Sequence, residues 1–191
     1  SGDGELSRPP QRGETKSGRQ HEPLNPVPIR GGKVLVAGYE SGVFEISDIQ
    51  EREDVIVYTS EPLTEEKLIL GTVKMEIWVS APSPLVDLAV RISDVDESGK
   101  AFIITDGFCR EKVEILDEPF LVEMEIGATA YLLEKGHRLR VDITASKAPV
   151  YDINLNNGTT TRTHPAATGK TATQHIHHGK QTNTKITLPL H

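Results

Sequence analysis

Between residues 34 and 150 apolar and polar side chains alternate with a period of two, and that alternation confines the chain to β-sheet. Val73, Met75, Ile77 and Val79 alternate with Lys74, Glu76 and Trp78. Leu88, Val90 and Ile92 alternate with Ala89, Arg91 and Ser93. Phe120, Val122, Met124 and Ile126 alternate with Leu121, Glu123 and Glu125, and Leu139, Val141 and Ile143 with Arg140, Asp142 and Thr144. In an extended chain successive side chains point to opposite faces, so the first set of each run is predicted to be buried and the second to face water. Turn residues separate the runs: Ala81-Pro82-Ser83-Pro84, Glu97-Ser98-Gly99-Lys100, Asp117-Glu118-Pro119 and Lys135-Gly136-His137. Short antiparallel strands with this punctuation predict a sandwich or barrel of low helix content. The one helical candidate is a short stretch at 129–134.

Residues 1–33 differ from the rest. They hold five of the twelve prolines and only four aliphatic side chains, Leu6, Leu24, Val27 and Ile29, and carry a charge of +2, against −9 for the remainder. So little apolar surface does not offset the entropy of ordering, so the segment is read as a linker or strap, with the domain proper at 34–191. Asn25-Pro26-Val27-Pro28 is expected to be extended, and Gly31-Gly32 to turn. Residues 154–184 form a second polar stretch, with nine threonines. Residues 185–190 return to a strand pattern, with Ile186 and Leu188 on one face.

Composition excludes several classes. One Cys in 191 residues rules out an intrachain disulfide scaffold and a structural Cys-zinc site. A net charge of −7 argues against a nucleic-acid binder, whose affinity rests on surplus Lys and Arg. No run of about 18 apolar residues suggests a membrane span. The absence of an initial Met and of signal-peptide order leads to the expectation of a piece of a longer polypeptide. The unpaired Cys favours a reducing, cytoplasmic compartment.

Catalytic motifs are missing. No Gly-x-Ser-x-Gly elbow is present, and Gly38-Tyr39-Glu40-Ser41-Gly42 has the wrong spacing. There is no phosphate-binding loop, dinucleotide fingerprint or His-Glu-x-x-His, so neither catalytic residues nor a cofactor are assigned. His175, His177 and His178 form the strongest ligand-like cluster, since 175 and 177 share a face in a strand. Without a second cluster, polar strand or loop residues are the preferred reading, and no metal is assigned. Asp152, Asn154, Asn156 and Asn157 place oxygens at short spacing, but no terminal Glu follows, so Asx turns are preferred over calcium. Cys109, beside Phe108, reads as a buried small hydrophobe. Trp78 lies opposite Met75 and Ile77, either as a sugar-stacking platform or, as preferred, under a neighbouring domain.

Several segments, taken together and in order, resemble a known family. Asn25-Pro26-Val27-Pro28 with Gly31-Gly32, the run from Asp54 to Leu63, Thr72 to Ser80, Asp94-Val95 with Gly99, Thr105-Asp106-Gly107, Gly136-His137-Arg138-Leu139-Arg140, and Pro149 through Gly158 are similar to the C-terminal, non-catalytic domain of X-Pro dipeptidyl-peptidase-type serine hydrolases. That group includes cocaine esterases and α-amino-acid ester hydrolases. Gly2 to Ser7 resembles the exit from the catalytic domain. Thr182 and Asn183 depart from the family's closing His and Pro, and Ser146-Lys147-Ala148 lacks its aromatic residue. The resemblance implies an all-β jelly-roll β-sandwich of galactose-binding-like type, with the catalytic triad in an upstream α/β-hydrolase domain.

The resemblance also implies that the strand after Gly-Gly approaches the active-site cleft, which makes Lys33, Val34, Leu35 and Val36 candidate pocket walls, with Trp78 a candidate interface residue. Three functions follow. The leading one is an accessory domain that packs on an ester- or peptide-hydrolysing α/β-hydrolase domain of the same polypeptide and helps shape its cleft or oligomer. The second is a stand-alone carbohydrate- or peptide-binding module, which needs exposed aromatics from a stock of nine. The third is a self-assembling, homo-oligomeric structural domain using Trp78 and the strap.

Overall fold

The structure, a computed structural model, describes residues 15–191. In chain order it contains β1 (Thr15–His21), a one-turn helix α1 (Ser47–Gln50), β2 (Ile56–Thr59), β3 (Lys67–Ser80), β4 (Leu85–Val95), β5 (Ala101–Lys112), β6 (Phe120–Leu133), β7 (Arg138–Thr144), a 3₁₀ turn (Ala166–Thr168), β8 (Ala172–His178) and β9 (Lys185–Thr187). Each predicted turn joins two consecutive strands. No helix among the described residues is long and apolar enough to cross a membrane.

The strands pair antiparallel, and four of the pairs are nested: β1 with β8, β2 with β7, β3 with β6 and β4 with β5. Folding a long hairpin of this kind over on itself places alternate pairs in two facing sheets. One sheet has the order β1-β8-β3-β6, with β9 also on β3, and the other β2-β7-β4-β5. This is the jelly-roll β-sandwich of the sequence expectation, in a five-stranded and a four-stranded sheet.

The apolar sets fill the space between the sheets: Val73, Met75, Ile77 and Val79 of β3, Leu88, Val90 and Ile92 of β4, Val122, Met124 and Ile126 of β6, and Leu139, Val141 and Ile143 of β7. The alternate positions of β4 and β7 differ from expectation. Arg91, Ser93, Asp142 and Thr144 are buried, because the outer face of the second sheet is covered. The cover is residues 26–33 and the α1 segment, which form a second, smaller apolar cluster from Val27, Ile46, Ile49, Val55, Val95, Ala101 and Ile103.

Charges on the outer face of the second sheet are paired. Arg91 Nε donates to Asp142 Oδ1 at 2.6 Å, and Gln50 reaches down from α1 to Asp142 Oδ2 at 2.7 Å. Arg110 grips both oxygens of Asp87 at 2.7 Å and also donates to Asp152. Burial raises both Asp87 and Asp142 above the usual carboxylate range, against the pull of those partners.

Three local expectations are corrected. The stretch at 129–134 continues β6 through Leu133 instead of forming a helix, since thirteen of the fourteen residues of β6 pair along β3. Residues 15–21, expected as linker, form β1. Their inward residues are Ser17, Arg19 and His21, so the strand docks through polar contacts that an apolar pattern does not reveal: Arg19 Nη2 donates to Asp87 O at 2.9 Å and to Gln174 Oε1 at 2.8 Å. The strand expected from Val34 is a loop. Gly2 to Ser7 lies outside the described residues.

Two β-bulges mark the corner where β5 meets β6. Ile92 pairs with Thr105 but Ser93 with Ile103, which leaves Ile104 as an extra residue. Val73 pairs with Gly127 but Lys74 with Glu125, which leaves Ile126 extra. A bulge interrupts the ladder and frees backbone groups for other partners, and here one of them is used.

Candidate domain interface

The chain crosses the second sheet at Val27, which is buried and donates its N–H to Ser146 Oγ at 2.8 Å. It then turns at Gly31 and Gly32, with φ of +63° and +71°. These positions require glycine for two reasons. Positive φ disfavours any Cβ, and a Cβ on Gly32 would sit 2.5 Å from Asp106 Oδ1. Gly32 exchanges two backbone hydrogen bonds with Gly42, at 2.8 and 3.1 Å, which closes residues 33–41 into a loop with adjoining ends.

The base of that loop is fastened to the bulged corner. Asp106 Oδ1 accepts the Lys33 N–H at 2.6 Å, and Asp106 also pairs with Lys147. Lys33 Nζ donates to Ile126 O at 2.6 Å, the carbonyl of the extra residue in β6. Gly127 carries no Cβ where Lys33 passes.

Above this base the loop is apolar and bare. Val34 is buried, Val36 is half-buried, and Leu35 is 99 % exposed. Tyr39 and Val43 are 44 % and 55 % exposed. Each apolar residue held in water forgoes roughly 1.5–3 kcal/mol of burial, and an anchored loop that presents three of them is the profile of a docking element. The family resemblance points to Lys33, Val34, Leu35 and Val36 but not to Tyr39 or Val43; Tyr39 lies within the Gly38-to-Gly42 segment, where the glycines mark a turn, and Val43 follows it directly.

Trp78 does not join this group. It lies half-buried on the outer face of the first sheet, opposite Leu121, which is five residues from Ile126 along β6, or about 17 Å at the rise of a strand. Its backbone N–H donates to Thr184 Oγ1 at 2.9 Å.

The other candidates have structural roles. His175 and His177 share a face with ring centres 6.5 Å apart, while His178 on the opposite face bonds Tyr58 Oη at 2.8 Å. Among the described residues no three His, Cys, Asp or Glu side chains converge as a metal site. Asn154 Oδ1 accepts the Asn156 N–H, and Asn157 Oδ1 accepts the N–H and hydroxyl of Thr159, the Asx-turn arrangement. Asp152 is engaged by Arg110. Cys109 faces Met124 Sδ at 3.8 Å, and burial pushes its thiol up to about 12, so it is no thiolate nucleophile near neutrality.

The fold and this site define a jelly-roll domain that presents an anchored apolar loop. Residues 6–187 match the family described as the X-Pro dipeptidyl-peptidase C-terminal non-catalytic domain, and the chain belongs to that family. It is 30% identical over 199 residues to the cocaine esterase of Rhodococcus sp. (strain MB1 Bresler), a match that takes in the whole chain and 35% of that enzyme. In fold it resembles an aminopeptidase from a marine sediment Thaumarchaeota archaeon (TM-score 0.84, 20% identity, 95% of this chain and 34% of that one). It also resembles an α-amino acid ester hydrolase (TM-score 0.82, 21% identity, 92% and 32%). The chain therefore spans about a third of the length of these relatives.

Proposed function

We propose that this accessory domain packs on an upstream α/β-hydrolase domain of the same polypeptide, an ester or peptide hydrolase of the serine type, and that the loop at 33–43 is its docking element. The carrying observation is Leu35, an aliphatic side chain in full contact with water on a base held by Asp106, Lys147 and Ile126. In this reading Leu35, Tyr39 and Val43 seat against the catalytic domain. Val34 and Val36 support the wall from below, and Trp78 belongs to a separate contact. The domain's contribution to hydrolysis is positional: it covers one side of the cleft and excludes water from the apolar contact, while the nucleophile and its base come from the other domain.

The test is hydrolysis of p-nitrophenyl acetate and Ala-Pro-p-nitroanilide by this chain and by the polypeptide extended upstream. Activity confined to the extended polypeptide, and lowered there by Leu35→Asp, supports the proposal. Serine-type activity of the 191-residue chain alone contradicts it.

A further inference from the structure

Among the described residues β1 is the one strand with no aliphatic residue. It forms the edge of the first sheet and pairs with β8 alone, over seven residues. No residue of β1 belongs to either apolar cluster. Lys16, Gly18 and Gln20 face water. The burial of apolar side chains that docks the other strands is therefore missing from this one.

What holds β1 inward is polar and incompletely matched. Arg19 is 1 % exposed and makes no ion pair among the described residues. Its Nη2 has the two acceptors already described, Asp87 O and Gln174 Oε1, but its Nε and Nη1 have no partner. Gln174 stands opposite Arg19 on β8, and its Nε2 has no partner either. Asn156 donates to His21 O at 3.2 Å while its own Oδ1 is left over. Four of the six buried side-chain atoms without a partner among the described residues thus lie where β1 docks. Asp87, whose carbonyl Arg19 touches, gives its carboxylate to Arg110. Burial without a counter-charge pulls the Arg19 guanidinium down to about 10. A buried ion without a counter-ion and donors without acceptors both penalise the docked strand, and both regain water when it leaves.

The chain beyond β1 is fastened separately. Pro23 and Val27 are buried, and the Val27 N–H is held by Ser146 Oγ, while Leu24 and Asn25 between them are exposed. We propose that β1 is a releasable strand, kept weakly docked by Arg19: it leaves β8 as one unit, hinged at Leu24 and Asn25, while the other eight strands stay folded. Release uncovers the hydrogen-bonding edge of β8, Ala172–His178.

The test is native-state hydrogen exchange on the 191-residue chain, over a series of urea concentrations below its unfolding midpoint. After correction for intrinsic rates, the amides that bond across β1 and β8 are expected to exchange together. They should do so at least about a hundredfold faster than those of the β3–β6 core and with a weaker dependence on urea, the mark of a partial opening. Arg19→Met with Gln174→Leu removes three of the unpartnered donors at similar side-chain length, and is expected to raise protection in β1 at least about tenfold. Exchange of β1 at the rate and urea dependence of the core overturns the proposal, since the strand would then leave only on global unfolding. Lower protection of β1 in the double variant also overturns it, since Arg19 would then fasten the strand. The wild-type series decides alone should the variant fail to fold.

Discussion

Lys33 Nζ donates to Ile126 O across 2.6 Å, and Ile126 is the residue that the β6 bulge leaves without a partner on β3. An irregularity in one sheet thus supplies the attachment point for a loop that starts on the other. Lys33→Met keeps the stem and removes the donor. It is expected to cost about 1.5–3 kcal/mol in urea unfolding, the range for a hydrogen bond from a charged group, and to speed amide exchange in residues 33–43 more than elsewhere.

Asp106 carries the other half of the attachment. Asp106→Ala leaves the largely buried Lys147 without its counter-charge and Lys33 N–H without its acceptor, at an expected cost of about 3–5 kcal/mol. Asp106→Asn keeps an acceptor for the N–H and should recover part of that loss. Equal losses in the two variants would show that the backbone hydrogen bond contributes nothing.

Gly32 and Gly38 separate backbone strain from steric conflict. Both have positive φ, +71° and +85°, but a Cβ on Gly32 strikes Asp106 whereas nothing lies within 4 Å of one on Gly38. Gly38→Ala is expected to cost about 1 kcal/mol and Gly32→Ala about 3 kcal/mol, read as midpoints of denaturant unfolding.

His137 gives the fold a pH dependence of known sign. Burial works against its charged form. The hydrogen bond and charge of Asp94, with Glu134 and Asp96 nearby, outweigh burial and raise its pKa above the ordinary value. A raised histidine contributes stability that is fully present below about pH 6.5, the unfolded value, and is lost as the pH rises through the folded value. His21 acts in the opposite sense: burial lowers it, so its contribution is present above the unfolded value and lost as the pH falls. The difference in unfolding free energy between wild type and His137→Gln should therefore shrink from pH 6 towards pH 8. A difference that grows over that interval would contradict the Asp94 pairing.

The sandwich was legible in the sequence because β3, β4, β6 and β7 each bury one strict alternate set, and a period of two has no other stable outcome. The covered face of β4 and β7 was not legible, because Arg91 and Asp142 look like surface residues until Gln50 is known to lie over them. β1 was hidden for the same reason: Arg19 and His21 are buried by polar contacts rather than by apolar area. Leu35 was found through family resemblance, and its exposure depends on the Gly32 to Gly42 closure, a contact between residues that no local pattern links. Trp78 fell on the face predicted for it, yet nothing in its strand placed it some 17 Å along β6 from the loop base.

The most direct test of the docking account is amide hydrogen exchange over residues 35–43, measured in this chain and in the polypeptide extended upstream. If the loop seats against a catalytic domain, exchange there slows by at least about tenfold in the longer protein, while residues of the β3–β6 core exchange equally in both. Equal exchange at 35–43 in the two proteins would mean that Leu35, Tyr39 and Val43 remain in water, and that this loop is not the interface.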